Sequence, residues 1–227
     1  MVISPEDREE SVAYFLEHFD EQCAALSVEA CTVPMPDQPS KPLQDYGFVA
    51  LRLSAELGHQ FDSEGHFGFV EDFPEGVTFY PGQAWNRVFF DAGTAIGLTH
   101  QSRLLAVGAA GINMSGDLLI KQLQDVTGVR RFVRDPDGGS HRVRNKEYYR
   151  TGLHSGFLWR DTLVRAWRHV AEMQPSKPFV HLRSNENSPW PNVIDAGGYG
   201  YDDVAQRNGG VRYGRRNWVL PSLATAA

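Results

Sequence analysis

The sequence predicts an α+β fold, in which a mainly antiparallel sheet is flanked by an amino-terminal helix and two or three further helices. Strand-like segments interrupt the helical ones without a regular β-α-β rhythm, which favours this class over a doubly wound fold. Hydrophobic residues at 41% and charged residues at 22% are typical of a globular domain. The length of 227 residues suits one domain, expected over residues 1–221, with a flexible tail at 222–227.

The first predicted element is an amphipathic helix that runs to about Ala25. Ser4 can cap it, and Pro5 suits the first helical position. Apolar residues then recur at three- and four-residue steps: Val12, Phe15, Leu16, Phe19, Cys23 and Leu26. The prolines between 34 and 42 predict an extended connection, because proline excludes regular structure.

The central region predicts a mixture of strands and small helices. Residues 46–53, rich in aromatic and aliphatic side chains, form the clearest strand. Shorter strands are expected at 65–70, 77–80 and 87–90. The small-residue run at 99–110 predicts a buried helix, and residues 115–126, which end before a glycine, predict another.

The later part of the chain predicts a hairpin, a helix and a strand. The hairpin arms are expected at 129–134 and 141–145, across the turn sequence at 135–139. The helix is expected at 155–173 and the strand at 179–183. From residue 184 onward Gly, Asn and Pro predict a long irregular segment. We expect it to be ordered to 221, because it carries large apolar side chains: Trp190, Tyr199, Tyr201, Tyr213 and Trp218.

Charge is distributed unevenly along the chain. Residues 1–76 carry 16 acidic and 3 basic residues, whereas the whole chain has a net charge of only −6. Such asymmetry is compatible with an anionic partner, with two faces that pair in a homo-oligomer, or with an acidic helix that packs on a basic remainder.

Cysteine usage and hydropathy bear on the compartment. Cys23 and Cys31 cannot build a disulfide framework for a domain of this size. The longest apolar run, at 104–114, is about half the roughly 20 residues of a membrane span. The acidic start is unlike the basic start of a signal peptide. These features predict a cytoplasmic protein without a membrane partner.

The glycine-bounded stretch at 58–69 concentrates residue types suited to metal binding or proton transfer. We predict that His59, Asp62 and His66 are ligands of a divalent metal, iron or zinc, and that Glu64 is a base or orients a ligand. His100 is a further candidate catalytic residue. The alternative is a polar loop in which each histidine is hydrogen-bonded to a neighbouring acid.

Basic residues between 130 and 150 form a second candidate site. An arginine fork grips carboxylate or phosphate through two bonds. We therefore predict that Arg144 and Arg183 bind an anionic substrate. A solvated, salt-bridged hairpin explains the same residues, and nucleic acid is disfavoured by the overall acidity.

Taken with the absence of nucleophile-elbow, phosphate-loop and dinucleotide motifs, these patterns predict a small cytoplasmic metal-dependent enzyme that acts on a small polar or anionic substrate. Non-haem iron oxidoreductase and zinc hydrolase chemistry both remain open. The alternative is a non-enzymatic module whose basic hairpin docks an acidic, phosphorylated or nucleic-acid partner. A third reading is acid–base catalysis by a His–carboxylate pair without a metal.

Overall fold

A computed structural model of the chain describes residues 4–35, 42–52, 76–77, 92–125, 131–134, 140–143, 157–187 and 200–223. The helices are α1 (Pro5–Ala24), α2 (Val28–Cys31), α3 (Trp159–Met173) and α4 (Tyr201–Arg207). The strands are β1 (Tyr46–Arg52), β2 (Thr94–His100), β3 (Arg103–Ile112), β4 (Leu118–Asp125), β5 (Arg131–Arg134), β6 (Ser140–Val143), β7 (Val180–Arg183), β8 (Val211–Tyr213) and β9 (Asn217–Leu220). The predicted α+β class is confirmed.

Seven of the strands form one sheet, in the order β1-β2-β3-β4-β7-β9-β8, and β5 and β6 pair separately as a hairpin. Strands β1 to β4 make an antiparallel meander. Strand β7 then pairs parallel to β4, which requires the chain to cross back over the sheet through α3. The last two strands reverse, so that β9 lies between β7 and β8.

The helices cover one face of the sheet and form the main core with it. Phe15 and Phe19 of α1 are buried against Trp167 of α3, and the Phe19 and Trp167 rings stack at 5.5 Å. The Trp167 indole N–H donates to the carbonyl oxygen of Gly108 on β3 at 2.8 Å. This bond fixes the height of α3 over the sheet, because a buried indole N–H needs an acceptor.

A second, smaller apolar cluster lies on the opposite face of β1, β2 and β3. Leu51, Ala95, Leu104, Val107 and Ala109 are all buried there. Strands β2 and β3 are therefore buried on both faces, which accounts for their continuous apolar sequences, whereas most of β1 is only partly buried.

Two predicted helices are wrong: residues 99–110 and 115–126 lie in strands β2, β3 and β4. Strands β2 and β3 are buried on both faces and have no alternation, so their apolar run looks like a buried helix. Strand β4 has one buried side, but a register shift in its pairing with β3 interrupts the two-residue period of its buried side chains. Two turns separate the strands. In the first, Gln101 and Ser102 adopt positive φ values of 50° and 61°, and in the second the Asn113 side chain accepts from the backbone N–H groups of Ser115 and Asp117.

The irregular carboxyl-terminal segment is also corrected, because residues 201–220 form α4, β8 and β9. The glycines that suggested irregularity serve tight turns: Gly209 and Gly214 have φ values of 72° and 62°, where other residues are strained. The expected order of this region is confirmed for residues 200–221. Trp190, Tyr199 and residues 224–227 of the tail predicted at 222–227 lie outside the described residues.

Other predicted elements are confirmed. They are the first helix, the strand at 46–52, both arms of the hairpin, the helix that ends at Met173 and the strand at 180–183. In the described parts of the chain, no helix has the length and apolar character to cross a membrane.

Candidate functional site

Most of the residues predicted for a metal or substrate site lie outside the described part of the chain. These residues are His59, Asp62, Glu64, His66 and Arg144. Within the described ranges, three or more His, Cys, Asp or Glu side chains do not come together at any point where they could hold a metal ion. The metal site therefore stays a prediction.

The two other predicted site residues, His100 and Arg183, lie on opposite faces of the sheet. His100 ends β2 on the helical face, where its ring lies 4.5 Å from that of Tyr46. Arg183 ends β7 and points to the other face, because the alternate residue Leu182 is buried in the helical core. The structure does not bring these two side chains into one site.

The parallel strands β4 and β7 pair only over a short length. Their register joins Leu118 to Val180, Leu119 to His181 and Ile120 to Leu182, whereas β4 remains paired with β3 as far as Asp125. Beyond Ile120 the edge of β4 that faces β7 therefore lacks a strand partner among the described residues. We name this gap, along residues 121–125 of β4, the β4–β7 opening.

A tyrosine side chain reaches into the β4–β7 opening. The backbone N–H of Leu123 donates to the hydroxyl oxygen of Tyr201 at 3.2 Å, across 78 residues of sequence. This N–H would otherwise pair with a neighbouring strand. A phenol both accepts and donates hydrogen bonds, so Tyr201 satisfies the Leu123 N–H and places a hydroxyl group in the gap.

Helix α4 holds Tyr201 in place through its two acidic neighbours. The Asp203 carboxylate accepts from the backbone N–H of Gly200 at 3.0 Å. Asp202 accepts from the indole N–H of Trp218 at 2.7 Å and from the backbone N–H of Asn185 at 3.2 Å. The first turn of α4 is thereby fixed to the end of β7 and to β9, on the far side of the gap from β4.

A buried carboxylate ties the other end of α4 to α3. Asp161 is only 1% exposed, and it accepts two hydrogen bonds from the Arg207 guanidinium, at 3.1 and 2.9 Å. The side-chain amide of Asn208 donates a third at 2.9 Å. A bidentate pair of this kind is geometrically specific, so α4 is anchored at both ends and Tyr201 has little freedom to shift.

The opposite face of the sheet carries polar side chains where β4 and β7 pair. The His181 Nε2 is hydrogen-bonded to a carboxylate oxygen of Asp117 at 3.2 Å, and the His181 ring lies edge-on to that of Tyr213 at 5.4 Å. Arg183 follows two residues later on the same face. This side of the sheet therefore presents an imidazole, a carboxylate and a guanidinium beside the apolar cluster.

The cysteines are not suited to nucleophilic chemistry. Burial raises the pKa of the Cys23 thiol to about 12, and it does the same for Cys31. Reactive thiols need the opposite, a lowered pKa and access to solvent. Both side chains are small apolar groups in the core.

The chain matches no protein-family model, no curated protein and no solved structure. The candidate site is therefore argued from its geometry alone. Sequence reasoning treated Tyr201 only as an aromatic anchor and missed its place in the β4–β7 opening. Two parallel strands connected by a helix appear in a sequence as a strand, a helix and a second strand. The wrong prediction of a helix at 115–126, where β4 lies, concealed this order.

Proposed function

We propose that the β4–β7 opening binds the extended, amide-bearing arm of an acyl carrier such as coenzyme A, and that the protein transfers the acyl group to an acceptor. The observation that carries this proposal is the β4 edge beyond Ile120, whose Leu123 N–H is met by a phenol instead of a strand. An exposed strand edge recognises an extended chain with regularly spaced amides.

The dimensions of the opening favour a short arm over a peptide strand. Residues 121–125 would span roughly 16 Å at the usual rise of a strand. The gap closes where β4 and β7 begin to pair, at Ile120 and Leu182. A ligand that enters from the open end therefore has its other end held inside the sheet. Pantetheine has this form, with two amides in an extended arm and a terminal thiol.

The amino-terminal end of helix α3 is suited to bind the anionic end of the carrier. The chain leaves α3 for the start of β7, so the helix begins toward the carboxyl end of β4, above the open end of the gap. The first helical turn has no side-chain cap, and uncapped N–H groups at a helix start favour phosphate. Arg160, whose guanidinium lies 4.3 Å from the Trp159 ring, is in the same turn.

Tyr201 would supply the proton that the reaction requires. An acceptor amine or hydroxyl attacks the thioester carbonyl, the carbon–sulfur bond breaks, and the leaving thiolate takes the proton of the phenol. The proton that the acceptor loses then restores the phenol. Arg183, on the other face at the end of β7, would bind an anionic group of the acceptor. Proton transfer of this type contributes typically about 10²–10⁴-fold to a rate.

Titration calorimetry with coenzyme A and acetyl-coenzyme A tests the proposal, with Asp125 as the site of a matched pair of variants. By alternation the Asp125 N–H points into the gap, like that of Leu123. Asp125→Pro removes this donor and should lower the affinity at least tenfold, whereas Asp125→Ala keeps it and should bind like the wild type. Equal affinities for both variants, or no binding by the wild type, would refute the proposal.

The predicted metal-dependent enzyme is a second candidate function, favoured by the density of imidazole and carboxylate at 58–69. Elemental analysis of protein purified without added metal tests it. Iron or zinc near one equivalent, lost in His59→Ala and His66→Ala, is expected under this proposal. A metal content that is negligible and unchanged by reconstitution would exclude it.

Charge reversal on the basic hairpin distinguishes the proposed non-enzymatic binding module from both proposed enzymes. Arg142→Glu and Arg144→Glu should abolish binding to an anionic partner, and with it the salt dependence of that binding, while the histidine variants remain neutral. Retention of all binding by the reversed hairpin would refute it.

A further inference from the structure

Two arginines near the middle of α3 have no anionic partner among the described residues. Arg165 and Arg168 are three residues apart, so they share one side of the helix. Arg165 donates to the carbonyl oxygen of Thr32 at 3.4 Å, and Arg168 donates to that of Ser222 at 3.3 Å. Arg168 is only 4% exposed. The Nε atoms of both side chains are buried and have no hydrogen-bond partner.

The surroundings of this pair are positively charged. Burial lowers the pKa of Arg168, and the charge of Arg165 lowers it further, while Glu172 acts weakly in the other direction. In the described ranges, no carboxylate comes within ion-pair distance of either guanidinium. His169 adjoins them, and its pKa is lowered by burial first and then by both arginines, against a hydrogen bond to the backbone of Ala30 and the charge of Glu172.

An unpaired buried guanidinium is unfavourable, because it loses hydration without a compensating charge. Arginine stems often serve as packing groups with the head in water. Here the buried Nε atoms and the close like charges are not explained by that role. Both features are those of a preformed cradle for a planar or tetrahedral oxyanion, which accepts bonds from two guanidinium forks at once.

We propose that Arg165 and Arg168 bind an oxyanion, a phosphate or sulfate group, on the side of α3 that faces the carbonyl groups of Thr32 and Ser222. This site is separate from the β4–β7 opening, because it depends on the middle of α3 and on the carbonyls of Thr32 and Ser222. Its occupation would link α3 to the segment after α2 and to the chain that follows β9.

The imidazole of His169 provides a direct measurement. An anion held by the neighbouring arginines offsets their repulsion, so the pKa of His169 should rise, by about 0.5–1 on adding inorganic phosphate. Titration of the histidine signals by NMR, with and without phosphate at matched ionic strength, measures this change. His18, which lies on α1 and bonds to the backbone of Tyr14, is the internal control and should not move.

Variants separate a specific site from general screening. Arg165→Met should remove the effect of phosphate on His169, whereas Arg216→Met, on the exposed β8–β9 turn, should leave it intact. Arg168→Lys retains a positive charge but lacks the guanidinium fork, so it should weaken the effect of phosphate on His169. This variant keeps the test possible even if Arg168→Met fails to fold. A wild-type His169 that does not respond to phosphate, or a response that survives Arg165→Met, would overturn the proposal.

Discussion

At the scale of single residues, Tyr201 is the side chain on which the proposed chemistry depends. Its hydroxyl meets the Leu123 N–H in the β4–β7 opening, and α4 holds it there. The remaining contacts of α4, through Asp161 and Asp202, fix this position without entering the gap. Removal of the hydroxyl alone therefore tests its role with little effect on packing.

We predict that Tyr201→Phe lowers the rate of acyl transfer by about 10²-fold or more, while the affinity for coenzyme A changes only a few-fold. The phenyl ring keeps its packing, but the leaving thiolate loses its proton donor. Release of free thiol from acetyl-coenzyme A measures the rate, and calorimetry measures the affinity. Tyr213→Phe, at a side chain that is 63% exposed on the edge strand, is the control and should be neutral. A Tyr201→Phe enzyme with full activity would remove this tyrosine from the mechanism.

The buried thiols predict a loss of stability in alkaline solution. The pKa values of Cys23 and Cys31 are both raised to about 12 in the folded state, so the unfolded chain releases these protons first as the pH rises. Stability is then fully present below the unfolded pKa and is lost progressively above it, toward pH 12. Urea unfolding across this range measures the free energy, and Cys23→Ala should have a shallower decline. If the stability declines with pH in both single alanine variants as it does in the wild type, the raised pKa values of the two thiols are contradicted.

At the scale of elements, the contact between α3 and α4 depends on one buried carboxylate. Asp161→Asn leaves the Arg207 guanidinium without its charged partner. Since the Arg207 side chain is 33% exposed and can turn to water, we expect a loss of about 1–3 kcal/mol, less than for a fully buried pair. Chemical denaturation measures it.

The control for this change is an exposed ion pair of similar geometry. Asp20 is 63% exposed and accepts from Arg52 at 3.0 Å. Asp20→Asn should change stability by less than about 1 kcal/mol, because solvent screens surface pairs. Equal losses in the two variants would show that Asp161 makes no special contribution.

The carboxyl-terminal strands are part of the sheet, so their removal should be severe. Truncation after Asn187 deletes β9, which pairs with β7 from Val180 to Arg183 and carries the buried residues Trp218 and Leu220. Burying side chains of this size stabilises by roughly 1.5–3 kcal/mol each. We expect an insoluble or strongly destabilised product. A truncated chain with an unchanged melting temperature would contradict the sheet order.

The sequence predicted those elements whose pattern is local. Helix α1 has its cap at Ser4 and a clear apolar stripe, and the hairpin at 131–143 surrounds a turn sequence. Strands β2 and β3 were mistaken for a helix because burial on both faces removes the alternation that marks a strand. Strand β4 was mistaken for a second helix because a register shift in its pairing with β3 interrupts that alternation. The β4–β7 opening could not be predicted, because it depends on pairing between residues about 60 positions apart.

At the scale of the whole molecule, the two parallel strands of the sheet pair only over a short length, so the end of β4 lacks a strand partner among the described residues. The helical face holds α3 and α4 above this point, and the opposite face presents Arg183 beside His181 and Asp117. Under the proposed function, the carrier would enter the opening from its open end and the acceptor would bind from the other face, so that the two substrates meet.

The central claim is that a ligand pairs with the main chain of β4 in the opening. Amide NMR of protein labelled with ¹⁵N-leucine tests it most directly, by titration with coenzyme A. We predict a large chemical-shift change and slower hydrogen exchange for the Leu123 amide. The amides of Leu118 and Leu182, at the paired end of β4 and β7, should stay unchanged. An unperturbed Leu123 amide in protein saturated with coenzyme A would show that the ligand does not pair with the main chain of β4.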